Sequence, residues 1–162
     1  MGQMTKTQAS PSRFRTGHAP RRYRHVVLMV DDDSDDRRIY GTVLCYNGFN
    51  IVLVPDCSNA KRVLSLIRPD LILLDLSLPD GDGLSLCSDV TVTLNIPVIV
   101  LSGMSRKVME AGAMASGCLR YIEKPTSPVL VLHEIEEILG RPPLPGDLPA
   151  PWRIAFPFTE SA

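Results

Sequence analysis

The chain has 162 residues, a length that suits one domain with tails. Its hydrophobic fraction of 44% and charged fraction of 22% are ordinary for a soluble globular protein. The net charge of −1 hides an asymmetry. Residues 1–24 hold six basic side chains and no acidic one, while the remainder carries 11 basic against 18 acidic, which argues against one uniform nucleic-acid-binding surface.

Residues 1–24 are rich in Ser, Thr, Gly, Pro and Arg without periodicity and read as a disordered basic tail. Short apolar runs at 26–30, 51–54, 71–74, 98–101 and 119–122 read as strands. Four of them are nearly continuous rather than alternating, as strands buried on both faces should be. Helical stretches lie between them. Residues 35–46 close with Asn47-Gly48, a helix-stop signal. Ser58 is the expected cap of a helix with apolar positions Ala60, Val63, Leu64 and Ile67. Residues 84–94 and 106–116 follow, the second weakened by Gly112. Ser127 caps a last helix running to Leu139, and the proline-rich residues 141–162 read as an extended tail. Strand and helix alternating five times imply an α/β fold, a doubly wound parallel sheet of five strands.

The longest apolar runs are too short to span a bilayer, and the basic N-terminus lacks the apolar core of a signal peptide. Cys45, Cys57, Cys87 and Cys118 form no CxxC pair, and no histidine stands at metal-ligand spacing. Reduced, buried thiols in a cytoplasmic protein are therefore expected.

In a doubly wound sheet, ligands bind beyond the carboxyl ends of the strands. The first strand ends in Asp31, Asp32 and Asp33, the third in Asp75 and the fourth in Ser102, and the fifth is followed by Lys124. Crowded carboxylates resist joint ionisation unless a hard cation with oxygen ligands joins them, and Mg²⁺ suits a site of few protein ligands. Lys124 offers compact positive charge for phosphoryl oxygens, Ser102 a hydroxyl, and Asp75 a carboxylate able to become an acyl phosphate. Each residue alone has a plainer reading. Residues 31–36 could be a solvated acidic turn capping a helix, Asp75 a strand end, Ser102 a helix cap, Lys124 a surface lysine and Tyr121 a half-buried strand aromatic. Their shared position at strand ends favours the joint reading. A calcium loop is excluded: the sixth position from Asp31 is not glycine, and the twelfth is Thr42 rather than Glu.

The motifs VLMVDDD, LILLDLSLPDGDG, VIVLSG and YIEKP, in that order, carry a resemblance. Over about residues 26–139 the chain resembles the receiver domain of two-component response regulators, of the single-domain chemotaxis-regulator kind. The resemblance implies a flavodoxin-like (βα)5 three-layer sandwich over residues 25–140. It implies that Asp31, Asp32, Asp75 and the backbone carbonyl of Ser77 bind Mg²⁺, and that Asp75 accepts a phosphoryl group. Lys124 and Ser102 would assist, and Ser102 and Tyr121 would act as the switch, with Tyr121 turning inward on activation. Lys124-Pro125 would be a cis peptide bond. The implied partners are a histidine kinase or phosphotransfer protein as donor and a downstream effector protein.

The resemblance also implies a signalling phosphoacceptor rather than an enzyme. Asp75 and Ser102 are 27 residues apart, somewhat short for the family, so a shortened third helix is expected. Leu119 and Arg120 replace the acidic pair of many family members, so a salt-bridged dimer is not expected; monomer or weak apolar association is. The last 23 residues are too few and too proline-rich for a DNA-binding module. The alternatives are a pseudo-receiver scaffold that binds without being phosphorylated, or a nucleic-acid adaptor acting through residues 13–24.

Overall fold

A computed structural model of the chain describes residues 25–140. The expectations for the basic N-terminal tail, the proline-rich C-terminal tail and a stand-alone domain without a DNA-binding module concern residues outside that range. The elements follow in the order β1 (Val26–Val30), α1 (Ser34–Tyr46), β2 (Asn50–Val54), α2 (Cys57–Leu64) and β3 (Leu71–Leu74). Then come α3 (Gly83–Ser88), a π-helical segment (Asp89–Leu94), β4 (Val98–Ser102), α4 (Arg106–Ala115), β5 (Arg120–Glu123) and α5 (Pro128–Leu139). The five strands form one parallel sheet in the order β2-β1-β3-β4-β5.

Alternating residues of each strand point to opposite faces, and both faces are covered. Leu28 and Val30 face α2, α3 and α4, where they meet Ala60, Val63, Leu86 and Ala113. Val27 and Met29 face α1 and α5, where they meet Tyr40, Leu44, Val131 and Ile135. This two-sided burial is why the strands read as continuous apolar runs. All four cysteines are buried thiols outside any disulfide, and burial pushes the Cys87 thiol up to about 12. Among the described residues no helix is long and apolar enough to cross a membrane.

Several local expectations hold in detail. Asn47 ends α1, and Gly48 takes the left-handed conformation (φ 94°) that glycine adopts without strain. Ser127 caps α5, accepting from the Val129 N–H, and Lys124-Pro125 is cis.

Others are corrected. Ser58 does not cap α2. Asp56 does, accepting from the Asn59 N–H at 2.7 Å, because a carboxylate one residue before the helix start reaches that amide. Ile67 lies beyond α2 and is 42% exposed. The third helix is α-helical over Gly83–Ser88 and then widens into the π-helical segment. There the Thr91 hydroxyl approaches the carbonyls of Cys87 and Ser116 at 2.9 and 2.8 Å, tying the helix to the α4–β5 loop.

Candidate functional site

The strand order puts β1 between β2 and β3, which is where the winding of the sheet reverses. Backbone hydrogen bonds carry the ladder one residue past the strands: Asp31 N–H donates to the Val54 carbonyl, and Asp75 N–H donates to the Val30 carbonyl. Asp31 and Asp75 thus stand side by side at the carboxyl edge. On the other side of β3, Lys124 N–H donates to the Ser102 carbonyl at 2.9 Å and brings the ends of β4 and β5 level with them.

Carboxylate oxygens of Asp31, Asp32 and Asp75 lie within 4.8 Å of one another. Asp31 and Asp75 are buried, at 1% and 6% exposure, and Asp32 is open to solvent. Burial raises the Asp31 pKa; Lys124 pulls it down without cancelling the effect. Three hard oxygen donors, one of them wet, fit Mg²⁺, which keeps several waters and takes few protein carboxylates.

The Lys124 ammonium reaches into this acidic group. Its Nζ is 2.7 Å from Asp31, 2.8 Å from Asp75 and 2.8 Å from Asp36. Burial opposes the charged form of Lys124, but hydrogen bonds to Asp31, Asp36 and Asp75 outweigh it and hold the pKa well above the usual lysine value. Ser77 N–H donates to Asp75 Oδ1 at 2.9 Å, so residue 77 sits against the Asp75 carboxylate. Ser102 is fully buried, and its hydroxyl accepts from the Met104 N–H at 3.4 Å. Tyr121 is 4% exposed rather than half-buried, and its hydroxyl donates to the Met104 carbonyl at 2.7 Å.

Every candidate side chain except Tyr121 gathers at the carboxyl edge, and Tyr121 lies next to it behind Ser102. The acidic run 31–36 divides between the two readings. Asp33 is a helix cap, accepting from the Asp35 and Asp36 N–H groups, and Asp35 pairs with exposed Arg38. Asp36 is the residue that sequence reasoning left in the acidic turn. It lies in the first turn of α1, and nothing in local spacing sets it apart from Asp33 and Asp35.

The model of the response regulator receiver domain matches residues 27–136. The chain belongs to that family. It is 33% identical over 117 residues to protein PetR of Rhodobacter capsulatus, covering 72% of this chain and 49% of the relative. It is 30% identical over 118 residues to the DNA-binding response regulator MtrA of Mycolicibacterium paratuberculosis, covering 73% of this chain and 52% of that protein. This receiver chain thus spans about half the length of these curated relatives. The crystal structure of a two-component response regulator from Clostridium difficile matches with a TM-score of 0.69 at 26% identity, covering 72% of this chain and 96% of that one.

Proposed function

We propose that this receiver accepts a phosphoryl group on Asp75 from a phosphohistidine of a histidine kinase or phosphotransfer protein. A carboxylate oxygen of Asp75 attacks phosphorus, the P–O bond forms as the P–N bond breaks, and the departing imidazole takes up a proton. Asp31, Asp32 and Asp75 would hold Mg²⁺, with the Ser77 carbonyl as a further ligand. The metal supplies charge neutralisation for the transferred group. Lys124 pairs with a phosphoryl oxygen, and Ser102 offers it a hydroxyl. The protein is a phosphoacceptor rather than a turnover enzyme, since the acyl phosphate is the signal. Supporting this reading above all is the single ammonium of Lys124 set 2.8 Å from the Asp75 carboxylate, beside the acidic trio.

The output is a protein contact made by α4, β5 and α5. A groove of about 530 Å³ runs along that face between Arg106, Leu119, Tyr121 and Leu130. Tyr121 links it to Ser102 through their shared neighbour Met104. With Mg²⁺ and acetyl phosphate the protein should gain one acid-labile phosphoryl group, located by borohydride trapping and mass spectrometry. Asp75→Asn should abolish it. Labelling at Asp80 or Asp82 with Asp75 silent would overturn the assignment, and no labelling of the wild type would favour the scaffold alternative.

A further inference from the structure

Asp36 is not among the three carboxylates that could hold the metal, yet it touches the same lysine as two of them. We infer that Asp36 is a positioning residue that competes with the phosphoryl group for Lys124 and so weakens phosphoryl binding at Asp75. This inference rests on the phosphoacceptor reading above.

A lysine ammonium has three N–H donors. In this protein Asp31, Asp36 and Asp75 stand at 2.7, 2.8 and 2.8 Å from Lys124 Nζ, so all three are engaged. Each N–H held by a carboxylate is one fewer for the acceptor oxygens of a phosphoryl group. Under the proposed chemistry Asp75 becomes the acyl phosphate, and its own claim passes to the phosphoryl oxygens. Asp31 would serve as a ligand of a bound Mg²⁺. Asp36 is consumed by neither. It keeps a full negative charge beside Lys124 and close to the incoming anion, and like charges held near one another repel.

The geometry that holds Asp36 there is built from both sides. Its backbone N–H donates to the cap Asp33 at 3.1 Å, which fixes the first turn of α1. One turn later, buried Tyr40 donates its hydroxyl to the Thr126 carbonyl at 3.2 Å, tying α1 to the loop just after Lys124. The neighbouring Arg37 is committed elsewhere, with Nη1 donating to the Asp31 carbonyl at 2.6 Å. Among the described residues, Lys124 is the cation paired with Asp36.

The test uses the full chain in saturating Mg²⁺ and titrates beryllofluoride, which mimics a phosphoryl group on the acceptor carboxylate, by calorimetry. Asp36→Asn should bind beryllofluoride about three- to tenfold more tightly than wild type, the effect of removing one half-screened like charge. Asp36→Glu, which keeps the charge within reach, should stay near wild type. In a Lys124→Ala background the gain from Asp36→Asn should shrink, because there is no ammonium left to compete for. Equal or weaker binding by Asp36→Asn overturns the inference, as does a gain that persists undiminished without Lys124. An Asp36 that only stabilises the start of α1 would change the melting temperature and leave beryllofluoride affinity unmoved. If the wild type itself binds no beryllofluoride, the phosphoacceptor reading fails and this inference falls with it.

Discussion

Lys124→Ala should destabilise the protein sharply without Mg²⁺ and much less with it. The lysine side chain is 12% exposed, and its partners Asp31 and Asp75 are 1% and 7% exposed. Removing the cation leaves two buried carboxylates facing each other unpaired, a change worth about 3–5 kcal/mol. Asp36 is 30% exposed and can turn to solvent, so it adds little. Taking about 3 kcal/mol at ~4 °C per kcal/mol for a domain of this size, the melting temperature should fall by about 12 °C. Circular dichroism melts in EDTA and in excess Mg²⁺ would measure this. A metal at 100 times its dissociation constant returns about 2.7 kcal/mol, and the variant should gain more than wild type because its carboxylates no longer have a lysine to satisfy them. A gap under about 1 kcal/mol in EDTA, or one that Mg²⁺ leaves unchanged, would refute the reasoning.

Gly83→Ala should both destabilise the fold and slow phosphorylation from acetyl phosphate. A Cβ at that position would stand 2.6 Å from the Leu76 Cα and 3.0 Å from the Asp75 carbonyl, so backbone next to the acceptor must shift; the expected loss is about 1–3 kcal/mol in a denaturant melt. Asp80 accepts from the Cys57 and Ser58 N–H groups at 2.9 Å each and from the Ser58 hydroxyl, which holds the β3–α3 loop against the start of α2. These hydrogen bonds, led by the Ser58 hydroxyl, lower the Asp80 pKa from 3.8, so its stabilisation is present above pH 3.8 and is lost as the pH falls through the folded value. Asp80→Ala should accordingly melt below wild type at neutral pH, with the two curves converging in acid. Arg120 pairs with Glu134 of its own chain at 3.0 Å. Sedimentation of the activated protein should therefore show no dimer that dissociates as salt rises, because that arginine is already engaged.

The five strands were legible because parallel strands covered on both faces must be apolar throughout, and Val27 to Val30 or Leu71 to Leu74 could be little else. The carboxyl edge was legible for the same reason. Once a strand is recognised, the first polar residue after it, Asp31 or Asp75, marks the end of the sheet. The start of α5 carries more apolar residues than one helical face can bury, and Val129 and Leu130 are 67% and 45% exposed.

Other features depend on contacts between segments far apart in the chain. Asp56 and Ser58 are both acceptable caps by local rules; Asp80, 22 residues beyond Ser58, takes the Ser58 N–H and hydroxyl and leaves the capping of Asn59 to Asp56. At the π-helical turn Thr91 meets the Ser116 carbonyl at the end of α4, a contact between segments far apart in the chain. Asp33, Asp35 and Asp36 are chemically alike and adjacent, so composition and local spacing cannot rank them. Lys124, brought in from the far end of β5, separates them by reaching Asp36 and leaving Asp33 to its helix. Periodicity and burial determined the sheet and its reactive edge, because they act residue by residue along each strand. Which carboxylate meets which cation was decided by the tertiary structure, because charge pairing depends on distance in space and not on position in the chain.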